Sequence, residues 1–291
     1  GAETFFRMWT SNNKKRYMKR FFIILLVMGV CISESWAQDE ITEANYLRQD
    51  SILWDAYYQR EAEFGRLWKE LPEEKHDSLW SAFQEVYDKT VRENARLACR
   101  FASVPSGLQR LYMVRFHVNK DTLQQILNTL PPDMRDSFYG KNIQAHVSNH
   151  QIVEGDTLPS FPCTQVDGEP FDWTMLDGKR LLFICEGLGC MGAGGRAYLD
   201  SLYAATSRDD FCIVVYCLSR SLKDLQQTRE RYKGAYIHLS DFKGDASPAK
   251  IIYGFQATPT CFLTDCAHRV LVKSEGLDGV ERYIEKNGYF R

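Results

Sequence analysis

RLLFICEGLGCMGAGGR, residues 180–196, passes from an unbroken apolar run into a glycine-rich turn holding one cysteine, and then into a segment of helical character. Leu181 to Cys185 has the length and composition of a strand buried on both faces. Cys190 therefore stands where a strand hands over to a helix. Helix starts carry unpaired amides and partial positive charge, which stabilise a thiolate, the attacking species in disulfide chemistry. Whether Cys190 is a working thiol or the remnant of one governs the functional reading. The neighbouring glycines lack the Lys-Ser/Thr ending of a phosphate-cradling loop.

Downstream, the pattern of this stretch repeats. β-rich runs at Leu181–Cys185, Cys212–Cys217 and Cys261–Thr264 alternate with helix-like runs near Tyr198–Thr206, Leu222–Tyr232 and Pro248–Gly254. Val270–Lys273 adds a last strand and Val280–Lys286 a last helix. That is the βαβ pattern of a sheet covered on both faces. Upstream, from about Ile41 to Gln151, apolar residues recur at helical spacing: Leu53, Ala56, Tyr57, Phe64, Leu67, Trp68 and Leu71, then Leu79, Phe83 and Val86 after Pro72. Ser106 and Asp121 are candidate N-caps of two shorter helices, the second ending before Pro131-Pro132.

The whole chain has 291 residues, 44% apolar and 25% charged, with a net charge of −2, which is globular material for one large domain or two modest ones. Mixed charge gives no basic stripe for a nucleic acid. Lys14, Lys15, Arg16, Lys19 and Arg20 precede an apolar run, Phe21–Ile32, and then Ser35-Trp36-Ala37. Residues 1–37 are therefore expected to be a signal peptide cleaved before Gln38, with Met18 as the natural start. The run is shorter than the roughly 20 residues a spanning helix needs, so membrane contact is expected only if this segment stays uncleaved. A lipoprotein reading through Cys31 is weaker, because Val30 is bulky. Export to a periplasm or cell envelope follows, and with it an oxidising compartment.

Eight of the nine cysteines follow that segment, yet their placement does not read as a disulfide scaffold. Cys185, Cys212, Cys217 and Cys261 lie in apolar runs, where cysteine behaves as a small buried hydrophobe. His146 and His150 stand four apart, and a solvated helix end explains them better than a zinc site. No metal and no cofactor is expected.

EGDTLPSFPCTQVDGEPFDWTMLDGKRLLFIC and IHLSDFKGDASPAKIIYGFQATPTCFLTDCAHRVLV resemble the thioredoxin-like proteins of the alkyl-hydroperoxide-reductase and thiol-specific-antioxidant superfamily. The shared elements are G-D-x-x-P-x-F, D-G, G-K, S-D-x-K-G, Y-G-F-x-x-T-P-T and F-L-x-D, covering roughly residues 153–291. LPPDMRDSFYGKNI is similar to the helical linker domain of the secreted members. The resemblance implies an α/β protein with a thioredoxin-like fold, a mixed central sheet with helices on both faces, preceded by an all-α domain at 38–152. It places Cys190 as nucleophile and implies a cis peptide between Thr258 and Pro259, opposite the thiol, where an extended substrate chain would align. The amides of Gly192 and Ala193 would hold the thiolate.

The departures from that family matter as much. Its usual Trp-Cys-x-x-Cys is here Gly189-Cys190-Met191-Gly192-Ala193, so the resolving thiol and the aromatic shield are both missing. Cys185, five strand residues upstream, would lie roughly 16 Å away, beyond the ~7 Å within which two Cα atoms can be bridged. Cys261 is the nearer candidate resolver, although a buried strand residue is its simpler reading. A thiol peroxidase would resemble its relatives in carrying Thr and Pro where this chain has Gly187 and Glu186, and Glu186, if buried near the thiol, would disfavour the thiolate. Three readings remain: monothiol exchange on disulfides of exported proteins, with a thiol donor as second partner; a redox-silent protein-binding module; and a thiol peroxidase.

Overall fold

The computed structural model describes residues 40–290, so the expected signal segment, Met18 and Cys31 lie outside the described residues. The chain forms two compact units that divide between Arg110 and Leu111.

In the first unit α1 (Glu43–Glu70) and α2 (His76–Arg100) pack as a hairpin. Thr42 caps α1 by accepting from the Asn45 amide at 3.2 Å, and Leu71 ahead of Pro72 turns extended, as the proline ring requires. Tyr46, Leu97, Phe101 and Val104 form the buried cluster. The aromatic residues at helical spacing are only partly buried. Phe64 stacks on Phe83 at 4.5 Å, while Trp68 and Trp80 stay largely exposed. Ser106 is no cap: it lies inside the first turn of α3 (Pro105–Val114), and its amide and hydroxyl bond the Glu43 carboxylate.

The second unit holds α4 (Lys120–Thr129), the single turn α5 (Pro132–Arg135), α6 (Phe138–Ser148) and a six-stranded mixed sheet. Asn119, two residues before the expected Asp121, caps α4 by accepting from Thr122 N at 2.7 Å. The sheet runs β1-β4-β3-β2-β5-β6, from β1 (Thr164–Gln165), β2 (Arg180–Cys185), β3 (Phe211–Tyr216), β4 (Ile237–Ser240), β5 (Thr260–Thr264) and β6 (Val270–Glu275). β2 pairs parallel with β3 and antiparallel with β5. Its helices are α7 (Gly192–Ala204), α8 (Leu222–Tyr232), the short α9 (Pro248–Ile252) and α10 (Asp278–Asn287). This is a thioredoxin-like fold with a helical N-terminal region.

Strand alternation sends Leu181, Phe183 and Cys185 to one buried layer and Leu182 and Ile184 to the other. Both faces are therefore apolar, and β2 reads as a continuous run. β1 and β4 were not distinguished as strands in the sequence because they are short and part polar; His238 and Ser240 are buried within β4.

The division at 110/111 falls upstream of the change of pattern at 152/153. Helices α4 to α6 lie in the same unit as the sheet, and Arg115 gives the physical reason. Fully buried, it donates to Tyr112 O at 2.8 Å and Gln256 Oε1 at 2.6 Å, with Nη2 3.5 Å from Phe255 O. Its guanidinium lies 4.4 Å and 4.5 Å from the Tyr112 and Phe116 rings, and burial lowers its pKa to about 10. Farther along, Ile152 N donates to Ile252 O at 2.9 Å. Among the described residues no helix is long and apolar enough to cross a membrane.

His146 and His150 do not come together as ligands. His150 pairs with Asp156 at 2.7 Å, whereas His146, expected at a solvated helix end, is buried with its ring edge-on to Phe116. Burial, with Arg115 and Lys120 nearby, lowers the His146 pKa from 6.5 to about 4. The unfolded chain then binds the extra proton between these values, so stability is complete above 6.5 and falls as pH drops toward 4, by up to about 3 kcal/mol. Urea melts of the wild type at neutral and mildly acidic pH should show this loss, and His146→Gln should flatten it.

Candidate active site

Six residues turn the chain from β2 toward α7. Glu186 N still donates to Tyr216 O at 2.8 Å, extending the ladder by one residue, and then Glu186 and Gly187 both adopt positive φ, 57° and 83°. Gly187 O accepts from both Cys190 N (2.9 Å) and Met191 N (3.1 Å), which closes the turn. α7 begins at Gly192, so the amides of Gly192 and Ala193 lie in its first turn, where helix geometry supplies no partner. Cys190 is exposed there.

Opposite stands the loop before β5. The Thr258–Pro259 peptide is cis, Thr258 is exposed and Pro259 is buried. Cys190 Sγ lies 3.8 Å from Thr258 Oγ1. Gly187 makes this approach possible, because a Cβ on it would sit 2.5 Å from Pro259 N and 2.8 Å from Thr258 C. Pro259 O accepts from Gly276 N at 2.8 Å, and Arg115 holds Gln256, so the loop is fixed at both ends.

Cys190, Glu186, Gly189, Cys217, Tyr232 and Thr258 line one cleft of about 220 Å³. A larger cavity of about 470 Å³ in the first unit, between α1 and α2, holds no thiol. The aromatic shield missing at position 189 has a substitute from elsewhere. A Cβ on Gly189 would stand 2.5 Å from the Tyr232 hydroxyl, and Arg196, donating to Leu188 O at 3.0 Å, lies 5.6 Å over the Tyr232 ring.

The two further cysteines weighed from the sequence lie outside this cleft. Cys261 is fully buried, opposite Ile184 in the β2–β5 ladder, and burial pushes its thiol up to about 12. Cys185 faces the layer opposite Ile184 and is fully buried. The Glu186 carboxylate accepts from the Leu218 amide, and after burial its charge is the second cause that raises the Cys217 thiol. At the two positions that would equip a peroxidase, the chain therefore supplies a glycine packed on Pro259 and a carboxylate already engaged by the backbone. All eight described cysteines are free, and among the described residues no group of His, Cys, Asp and Glu could hold a metal ion.

Cys217, Tyr232 and Arg115 escaped the sequence reading. For Cys217 a signal existed, since it ends an apolar strand run at the carboxyl edge of a parallel pair, where open α/β sheets place their sites. Tyr232 and Arg115 gave none, because Gly189 and Gln256, the residues near the site that they meet, are tens of residues away or more.

No family model matches the chain, and no curated protein matches it. Solved structures do. A thiol-disulfide oxidoreductase from Bacteroides fragilis is 17% identical, covering 45% of this chain and 99% of that one, with a TM-score of 0.39. The thioredoxin domain of a thiol-disulfide oxidoreductase from Bacteroides vulgatus is 19% identical over 47% of this chain and 98% of that one, with a TM-score of 0.40. A thiol peroxidase from Chromobacterium violaceum is 16% identical over 49% and 91%, with a TM-score of 0.40. The fold assignment rests on the strand order and pairing above, not on these values.

Gly187→Ala tests the approach of the two loops. It combines a strained φ with overlap against a buried proline, so a loss of roughly 2–4 kcal/mol is expected in thermal or urea melts. The alkylation rate of Cys190 should change with it, because the thiol's neighbour Thr258 is displaced.

Proposed function

We propose that the protein is an exported thiol–disulfide oxidoreductase that begins exchange through Cys190 on disulfides of exported proteins in a periplasm or cell envelope. The observation that carries this reading is an exposed thiol at a helix start, 3.8 Å from a threonine hydroxyl on a cis-proline loop. A thiolate there attacks one sulfur of a substrate disulfide, forms the mixed disulfide, and releases the other sulfur as a thiolate that takes up a proton. Thr258 and Pro259 align the substrate backbone, and the first-turn amides of Gly192 and Ala193 stabilise the thiolate. Tyr232 walls the cleft, with Arg196 over its ring. The signal-like segment at 1–37 supports export.

Ala193 favours a second reading, a redox-silent binding module that keeps the fold without the exchange chemistry. In two-cysteine sites the adduct is cleared from within the same helical turn at high effective concentration. Here that position is a methyl group, so clearance is slow.

Rapid alkylation in cells distinguishes the two. Dithiothreitol-sensitive mixed disulfides with exported proteins should be trapped on the wild type and vanish in Cys190→Ser. Ala193→Cys should shorten their lifetime and raise reductase activity on a protein disulfide. If Cys190 forms no adducts and Ala193→Cys gains no activity, the exchange reading fails and the binding module replaces it.

A further inference from the structure

We infer that Cys217 is the resolving thiol of the Cys190 site, with Glu186 as the acceptor of its proton. This rests on the exchange reading above and supplies its missing step. Among the described residues, Cys217 is the other cysteine lining the Cys190 cleft; Cys185 and Cys261 do not line it. Cys217 packs in the same apolar layer as Leu199 of α7 and the partly buried Met191 next to the nucleophile, so its thiol lies on the α7 side of the sheet.

Glu186 is placed to serve it. Its carboxylate is held by the amide of Leu218, the residue after Cys217, and it lines the same cleft. Burial first, and the charge of Glu186 second, hold the Cys217 thiol far above its ordinary range. It is therefore protonated at rest and inert until a disulfide forms beside it. Glycines flank Cys190 at 189 and 192, the second at positive φ with open space where a Cβ would stand. That backbone has the freedom to bring an adduct on Cys190 toward Cys217.

The step balances. As the Cys217 proton passes to Glu186, the sulfur attacks Cys190 Sγ in the mixed disulfide. A Cys190–Cys217 bond forms, the bond from Cys190 to the substrate sulfur breaks, and the departing thiolate takes the proton. The substrate disulfide is reduced by two electrons and the protein is oxidised by two. A dithiol or two small thiols must then reduce the internal disulfide to restore the site.

The test uses the full chain with Cys31, Cys99 and Cys266 replaced by serine, and a symmetrical nitrobenzoate disulfide as probe, whose released aromatic thiolate is coloured. A fast first release marks the Cys190 adduct, and a slower second release should follow as the internal disulfide forms. Non-reduced peptide mapping should show the Cys190 and Cys217 peptides joined, in this protein and in the unsubstituted chain, so the result does not depend on a Cys217 variant folding. Cys217→Ala should leave the first release and abolish the second. Glu186→Gln keeps an acceptor for the Leu218 amide and should slow the second release by roughly 10²-fold. A stable probe adduct on Cys190, with no second release and no joined peptides, overturns the inference while leaving the exchange reading intact. Absence of the first release overturns both.

Discussion

The close approach of the Thr258–Pro259 loop to the Gly187 turn is the contact on which the rest of the site depends. Two loops from strands that neighbour in the sheet but lie far apart in the chain meet with no side chain between them. Everything nearby is arranged to hold them there: the bond from Gly276 to Pro259, the bonds from Arg115 to the segment before Thr258, and the double acceptance by Gly187 O that closes the turn around Cys190. A thiol and a cis-proline loop become neighbours because a glycine occupies a position where any Cβ would force them apart.

Arg115 extends that dependence into the helices. A buried cation with no carboxylate partner among the described residues is costly; here carbonyl and amide oxygens accept from its two Nη atoms and two aromatic faces lie against it, while Nε has no partner among the described residues. After burial, the field of Arg115 is the second cause that lowers the pKa of the nearby His146. The loop before β5 is therefore set in part by a residue from the helical segment, which is one reason helices α4 to α6 lie in the same compact unit as the sheet.

Burial sorts the cysteines by reactivity. Desolvation raises the thiols of Cys163 and Cys261 to about 12 and that of Cys99 to about 11, with Cys217 and Cys185 higher still. Cys190 differs by standing in solvent at a helix start. Tyr232 reaches across from α8 to the glycine beside it, so the cleft has an aromatic wall although no aromatic adjoins Cys190 in the sequence.

The sequence by itself determined the layers. Continuous apolar runs of strand length between helical periods dictate a sheet buried on both faces, and a lone cysteine after the central run is placed by that pattern at the start of the following helix. Chain-local rules also located Thr258-Pro259 just ahead of β5. The partnerships were beyond it. Asn119 and Asp121 are both able to cap, and only the backbone path of α4 chose the first. His146 read as a solvated residue because one helix's spacing does not reveal what covers it. Gly189 read as a loss because Tyr232 is remote in sequence. Cys217 read as core because strand alternation gives a residue's face but not what the opposing loop brings there. Sequence period fixes the direction in which a side chain leaves its own element; which atoms meet it is decided by how the elements pack, and in this protein that is what put Cys190, Glu186 and Cys217 around one cleft.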